Sequence, residues 1–310
     1  MENYPRTVLE LEDRFPSEEA CREYLMQLRW PEGFVCPRCG NCGGWPATRG
    51  RIICRGCRYQ ASATTGTIFQ DIRKPLRMWF RAIWHITSQK NGASAMSLQQ
   101  VLGLGSYQTA WTWLHKLRRA MVRPGREQLH GRVEVDETYV GGAEAGSPGR
   151  HGANKALVTI AAEEDGRGIG RIRMARIPEA TKVYLHGFIQ QVIAPESVIH
   201  TDGLRAYGGM ENLGYRHEIS VLLGKGDDAA IRLMPRVHRV AALLKRWLLG
   251  THQGAVSVEH LDYYLDEFTF RFNRRKSASR GKLFYRLLQQ AVQIEAVPYK
   301  SVVGGKPKKS

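Results

Sequence analysis

Two Cys-x-x-Cys units, Cys36-Pro-Arg-Cys39 and Cys54-Arg-Gly-Cys57, stand 14 residues apart and constrain this chain more than any other feature. Two such knuckles bring four thiolates around one tetrahedral Zn2+. Residues 33–66 are rich in Gly, Cys and Arg and lack helical periodicity, so they read as a small β-ribbon that cannot bury enough apolar surface by itself. Metal binding supplies the folding free energy of such a segment, which makes the zinc structural and not catalytic. Cys42 is a spare sulfur and an alternative ligand in place of Cys39. Cys21 falls on the apolar face of a helix opened by Ser17, with Ala20, Tyr24, Leu25 and Leu28, and reads as core. Five of the six cysteines lie within residues 36–57, a pattern of metal binding in a reducing compartment and not of a disulfide framework.

Lysine and arginine number 46 against 29 acidic residues, a net charge of +17 spread over both halves of the 310 residues. Such a surplus points to a polyanionic partner, nucleic acid ahead of an anionic membrane surface. With 43% hydrophobic and 24% charged residues the composition is that of a globular protein, which excludes a wholly disordered, collagen-like or coiled-coil chain. No run of about 18 apolar residues occurs, and the start has no basic region followed by an apolar one. The expectation is a soluble cytoplasmic protein without a membrane partner. No GxxxxGK motif is present, so no nucleotide cofactor is expected.

Along the chain the texture changes twice. From Pro75 to Val122 it is helical, and SAMSLQQVLG, the turn Gly103-Leu104-Gly105, and a helix with Ser106 as N-cap together read as a helix-turn-helix. In its second helix Tyr107, Gln108 and Thr109 would meet base edges, with Lys116, Arg118 and Arg119 further along, while Trp111, Trp113 and Leu114 read as core. Arg55 and Arg58 lead a basic series around the knuckles that is suited to phosphates. A solvated charged face is the alternative. From Arg132 onward three strands succeed one another, then helix, strand, helix, strand and helix, with a long helical C-terminal portion and a basic tail.

In VEVDETYVGG, Val133 and Val135 point one way and Glu134 and Asp136 the other. Asp202 ends a second strand beside Gly203. Where these strands adjoin, the two aspartates approach closely enough to share hard divalent cations; two unrelated surface acids are the alternative. On the next helix, His238 and Lys245 are seven residues apart on one face, so one group would bind metal and the other grip the phosphate beside it. A solvent-facing histidine in a basic helix is the other reading.

These segments resemble a zinc-ribbon insertion-sequence transposase with an ISXO-like DDE domain. VEVDETYVGG resembles the family's first-aspartate strand, TDGLRAY its second-aspartate segment, and LLKRWLLGTHQGAVSVEHLDYYLDEFTFRFNRR its third-ligand helix and the segment beyond that helix. The CPRCG and CRGC knuckles with SATTGTIFQDIRKPLRMWFRAIW resemble its N-terminal half. The resemblance implies an α/β multidomain chain whose ribonuclease-H-like catalytic domain is a mixed five-stranded sheet with helices. The expected domains are an N-terminal helical segment at 1–32, the zinc ribbon at 33–68, the helix-turn-helix-like region at 69–125, the transposase domain at 126–290 and a basic tail at 291–310.

It further implies that Asp136, Asp202 and His238 hold two Mg2+ or Mn2+ ions, and that Lys245 holds the transposon-end phosphate. Arg246, Arg274 and Arg275 would extend the DNA groove. Most of the wider DDE class has glutamate where His238 stands. Imidazole removes one negative charge from the pocket and suits Mn2+ better than Mg2+. Glu259 is the second choice of ligand, and Asp227 and Asp228 lie in a glycine-flanked loop. The implied function is metal-dependent nicking of element ends and strand transfer into target DNA, by a homo-oligomer on DNA. The rivals are a catalytically inactive DNA-binding regulator derived from a transposase, and a nuclease that cuts without joining.

Overall fold

The computed structural model describes residues 4–123, 125–141, 155–221, 232–254, 256–296, 299 and 302, and forms two compact units. The expected Asp227–Asp228 loop and most of the basic tail lie outside the described residues.

The first unit takes in residues 1–123 and 276–305. A short helix that the sequence pattern did not reveal, α1 (Val8–Arg14), is opened by Thr7, whose side chain accepts the Glu10 N–H. In α2 (Glu18–Arg29) the expected Ser17 cap accepts the Ala20 N–H. The ribbon is a three-stranded antiparallel sheet of β1 (Gly44–Ala47), β2 (Arg51–Cys54) and β3 (Gln60–Ser62). The half-buried Arg29 anchors it to α2 by donating to the carbonyls of Ser62 at 2.8 Å and Ala63 at 3.3 Å.

Next come α3 (Leu76–Ser88), α4 (Ala95–Leu102) and α5 (Tyr107–Ala120). Pro75 cannot cap α3, and the Glu18 carboxylate of α2 does so by accepting the N–H groups of Leu76 and Arg77, each at 2.9 Å. Between α4 and α5 Gly103 takes the left-handed conformation, φ +61°, that closes α4 and starts the expected turn. Ser106 holds the N-cap position of α5 without a side-chain cap bond.

Helix α9 (Arg280–Ala291) also belongs to this unit. It brings Phe284 against Phe15, Phe80 and Trp84, with ring centroids 5.7–6.0 Å apart. The sequence pattern placed the end of the catalytic domain at residue 290; the chain divides instead after Arg275, because the apolar face of α9 completes this aromatic core.

The second unit, from residue 124 to 275, is built on a five-stranded sheet. Its strands are β4 (Arg132–Val140), β5 (Ala156–Asp165), β6 (Gly168–Ile177), β7 (Val198–Thr201) and β8 (Arg216–Ile219), in the order β6-β5-β4-β7-β8. Strands β4, β5 and β6 are antiparallel, whereas β7 runs parallel to β4 and β8 to β7. This is the mixed ribonuclease-H-like sheet the resemblance implied. The strand expected over residues 217–223 is described only to Ile219, and two 3-10 turns join β7 to β8.

Helices cover both faces, as a largely apolar central sheet requires. Val133 and Val135 of β4 pack with Leu185, Phe188 and Ile189 of α6 (Lys182–Val192). Val140 faces the other way, into a core shared with α7 (Pro235–His252) and α8 (Leu261–Asn273) through Val237, Leu244 and Phe268.

Phe284→Ala removes the ring that closes the first core and is expected to destabilise that unit by about 3–5 kcal/mol. Denaturant unfolding followed by tryptophan fluorescence measures it, and an unchanged midpoint would contradict this packing.

Candidate functional site

In the ribbon the antiparallel pairing of Gly44 with Cys54 brings the two knuckles together. The Sγ atoms of Cys36, Cys39, Cys54 and Cys57 all lie within 4.8 Å of one another, with Cys36 to Cys57 at 3.7 Å and Cys39 to Cys54 at 3.6 Å. Tetrahedral Zn–S bonds of about 2.3 Å place sulfurs roughly 3.8 Å apart, so the set fits one zinc ion. Burial pushes the Cys36 thiol up, but the N–H groups of Arg38 and Cys39 and the neighbouring sulfurs outweigh it and hold it at about 7. Cys42 is exposed, outside the four, in an isolated bridge with Val35. Arg55 and Arg58 are exposed and stack over Trp45, itself 41% exposed, at 5.8 and 4.7 Å.

In the sheet unit, β4 pairs in parallel with β7 as far as Glu134 opposite His200. Continuing that register by two residues points Asp136 toward Asp202, the first residue beyond the end of β7. The chain turns sharply behind Asp202: Gly203 has φ +85°, and a side chain there would meet Ile219 at 2.7 Å. The Oδ1 of Asp202 accepts the Leu204 N–H at 3.0 Å and fixes that turn. From α7, His238 Nδ1 lies 3.8 Å from Asp136 Oδ2, and both side chains are partly exposed. Lys245, two turns along α7, has an exposed side chain whose ammonium loses some hydration, lowering its pKa, while Asp136 acts to raise it.

The other face of β4 carries Glu137, which accepts a short hydrogen bond from the buried Tyr207 hydroxyl. Burial raises the Glu137 carboxyl to about 7; the Tyr207 bond opposes this and the charges of Asp136 and Asp202 add to it. Tyr207 is pushed up by burial, then by Glu137, Asp136 and Asp202. The two aspartates thus concentrate negative potential at one end of the β4–β7 pair. That potential, with hard oxygen donors and an imidazole alongside, suits a divalent cation of the Mg2+ or Mn2+ kind.

The remaining residues singled out in the sequence are distributed unevenly. Gln108 is exposed at the start of α5, and Arg246 is exposed on α7. Lys116 is half-buried, and burial lowers its pKa against the pull of Asp71. Arg118 is only 1% exposed and sits 3.4 Å from His115 Nε2, so it belongs to the interior of the helical unit. Arg274 lies over the Phe270 ring and donates to the Phe270 carbonyl, and Arg275 does the same at Phe272 while reaching the Gly170 and Ile169 carbonyls of β6. Both serve the C-terminus of α8, where the helix leaves carbonyls unpaired. Glu259 falls in a 3-10 turn before α8.

Sequence reasoning passed over Glu134, Glu137, Tyr207 and Arg236. The signal for Glu134 was present: an acid sharing the face of Asp136, set between the apolar Val133 and Val135.

Residues 128–273 match the ISXO2-like transposase domain family, and residues 16–60 match the transposase zinc-ribbon domain family. A protein of Halobacterium salinarum described as an uncharacterized protein in transposable element ISH50 is 28% identical over 281 residues, 83% of this chain and 91% of that one. Among solved structures, a Mos1 transposase paired-end complex with the left transposon end aligns over 76% of this chain and 80% of its own, at 13% identity and TM-score 0.30. The Mos1 strand transfer complex aligns over 77% and 82%, at 12% identity and TM-score 0.27. Among the described residues no helix is long and apolar enough to cross a membrane.

Cys54→Ser is expected to lower zinc content from one equivalent toward zero and to unfold the ribbon, whereas Cys42→Ser keeps the full equivalent; a colorimetric zinc assay on the purified variants decides.

Proposed function

We propose, from the premise that this chain is a zinc-ribbon transposase with an ISXO2-like transposase domain, that it binds the ends of an insertion sequence and catalyses their nicking and strand transfer. The single observation that supports the reading is the approach of His238 to Asp136 at 3.8 Å, on the end of β4 toward which its parallel partner β7 runs to Asp202. These three residues would hold the catalytic cations. Divalent ions bound there supply an activated oxygen nucleophile and stabilise the leaving oxygen of the scissile phosphate.

The chain's own groups do the rest. Lys245, beside this acidic cluster and partly desolvated, holds a DNA phosphate next to the reacting one and offsets its charge. Arg246 extends that contact along α7. Gln108 at the exposed start of α5 reaches a base edge, and Arg55 and Arg58 bind backbone phosphates from the ribbon, whose four cysteines hold one structural zinc. Lys116, half-buried, and Arg274 and Arg275, engaged with α8 carbonyls, contribute to the positive field more than to direct contact. Nothing in this scheme consumes a nucleotide, because phosphodiester energy passes from the broken bond to the new one. Joining two element ends asks for at least two protomers.

His238 favours a second reading, a DNA-binding regulator derived from a transposase, because it leaves the pocket one negative charge short of the three-carboxylate arrangement. The two readings separate in one assay. A labelled duplex carrying the sequence that flanks the gene is incubated with plasmid and Mg2+ or Mn2+, and joined product is scored. Asp136→Ala and His238→Ala are expected to lower product at least 100-fold, Mn2+ to exceed Mg2+ for the wild type, and His238→Glu to keep or raise activity with Mg2+. Specific end binding with no product from any form would establish the regulator.

A metal-binding histidine must be neutral, so the rate is expected to fall as pH drops through roughly 6.5, the ordinary histidine value. A flat profile between about pH 5.5 and 8 would remove His238 from the ligand set.

A further inference from the structure

Glu134 lies on β4 two residues before Asp136, on the same face, and has no exposed surface. A buried carboxylate is stable only when its oxygens are well supplied with donors. Its Oε2 accepts the N–H groups of Arg236 at 2.7 Å and Val237 at 3.0 Å, and its Oε1 accepts Arg236 Nη1 at 2.8 Å. Arg236 and Val237 belong to the first turn of α7. That helix begins at Pro235 and has no side-chain cap of its own. Its free N–H groups are therefore satisfied by a strand residue 102 positions earlier, whose negative charge also complements the positive end of the helix dipole. Arg236 completes the clamp: its guanidinium reaches Glu164 of β5 at 3.0 Å and donates to the carbonyls of Gly166 at 2.9 Å and Gly168 at 3.1 Å.

The clamp fixes both the height and the rotation of α7 over the sheet. Two residues further along each element, His238 and Asp136 meet at 3.8 Å. A slip of α7 by one residue shifts its side chains about 1.5 Å along the axis and turns them by about 100°, enough to take the imidazole away from the carboxylate.

We infer that Glu134 is a positioning residue: through the first turn of α7 it sets the register that brings His238 to Asp136. The inference rests on the reading of Asp136 and His238 as metal ligands, and its test is arranged so that the two fail separately.

The zinc-loaded, full-length chain is titrated with Mn2+, read by water-proton relaxation, as wild type, Asp136→Ala and Glu134→Gln. Strand transfer is then measured against Mn2+ concentration. Glu134→Gln keeps the shape but replaces one acceptor oxygen by an amide donor facing an N–H group. We expect Mn2+ affinity to fall at least tenfold at a temperature where circular dichroism matches the wild type. The Mn2+ concentration for half-maximal rate should rise by the same factor, while the rate at saturating Mn2+ stays within threefold. Hydrogen exchange should quicken at the amides of Arg236 and Val237 and not in β4 to β6.

A folded Glu134→Gln protein with wild-type Mn2+ affinity, even one with a lower melting temperature, would overturn the inference and leave Glu134 an ordinary stabilising residue. Should that variant not fold, Glu134→Asp takes its place: it keeps the charge but draws the carboxylate back from the N–H groups of Arg236 and Val237, and unchanged Mn2+ affinity in it overturns the inference equally. If the wild type and Asp136→Ala bind Mn2+ alike, it is the metal-site reading that fails.

Discussion

The sheet unit is organised around a single strand. Through its backbone β4 joins an antiparallel neighbour on one side to a parallel one on the other, and the parallel pairing runs to Glu134 and His200, two residues short of Asp136 and Asp202. Through its side chains it divides the unit between two cores. Val133 and Val135 hold α6, while Glu134 and Asp136 face α7. A register slip of one residue on β4 would exchange these roles and put two carboxylates into an apolar core, so the hydrophobic pattern and the acidic site specify the same pairing.

Two helices in different units are started in the same way. Both α3 and α7 open with a proline at or beside the first turn, which cannot supply a capping side chain, and each receives a carboxylate from another element, Glu18 for α3 and Glu134 for α7. A local cap only ends a helix; a distant one also fixes where that end sits against its neighbour. For α3 this sets the packing of Trp79 and Phe80, and for α7 the reach of His238.

The parts legible in the sequence were those whose chemistry imposes a spacing. The thiolates of Cys36, Cys39, Cys54 and Cys57 must converge, and they do; the period-two pattern around Asp136 gave its face on the strand, and Gly203 marked the turn after Asp202. What escaped was the use to which charged residues are put. A basic residue on a helix reads as a surface group, yet Arg118 is interior and Arg274 and Arg275 serve the end of α8, because guanidinium groups can satisfy carbonyls and cover rings as well as bind phosphates. The destination of α9 escaped too: an amphipathic pattern states that a helix is packed but not against which partner, and Phe284 proved to belong to the aromatic core begun by Phe15 nearly the whole chain earlier.

That return of α9 imposes an order on the birth of the molecule. A ribosome delivers α1 to α5 and the ribbon first, but the ring that packs against Phe15, Phe80 and Trp84 emerges only after all of residues 124–275. The first unit is thus the first part synthesised and the last completed. Until Phe284 emerges, the rings of Phe15, Phe80 and Trp84 lack the partner that packs against them, so translation withholds the finished first unit until the sheet unit has been made.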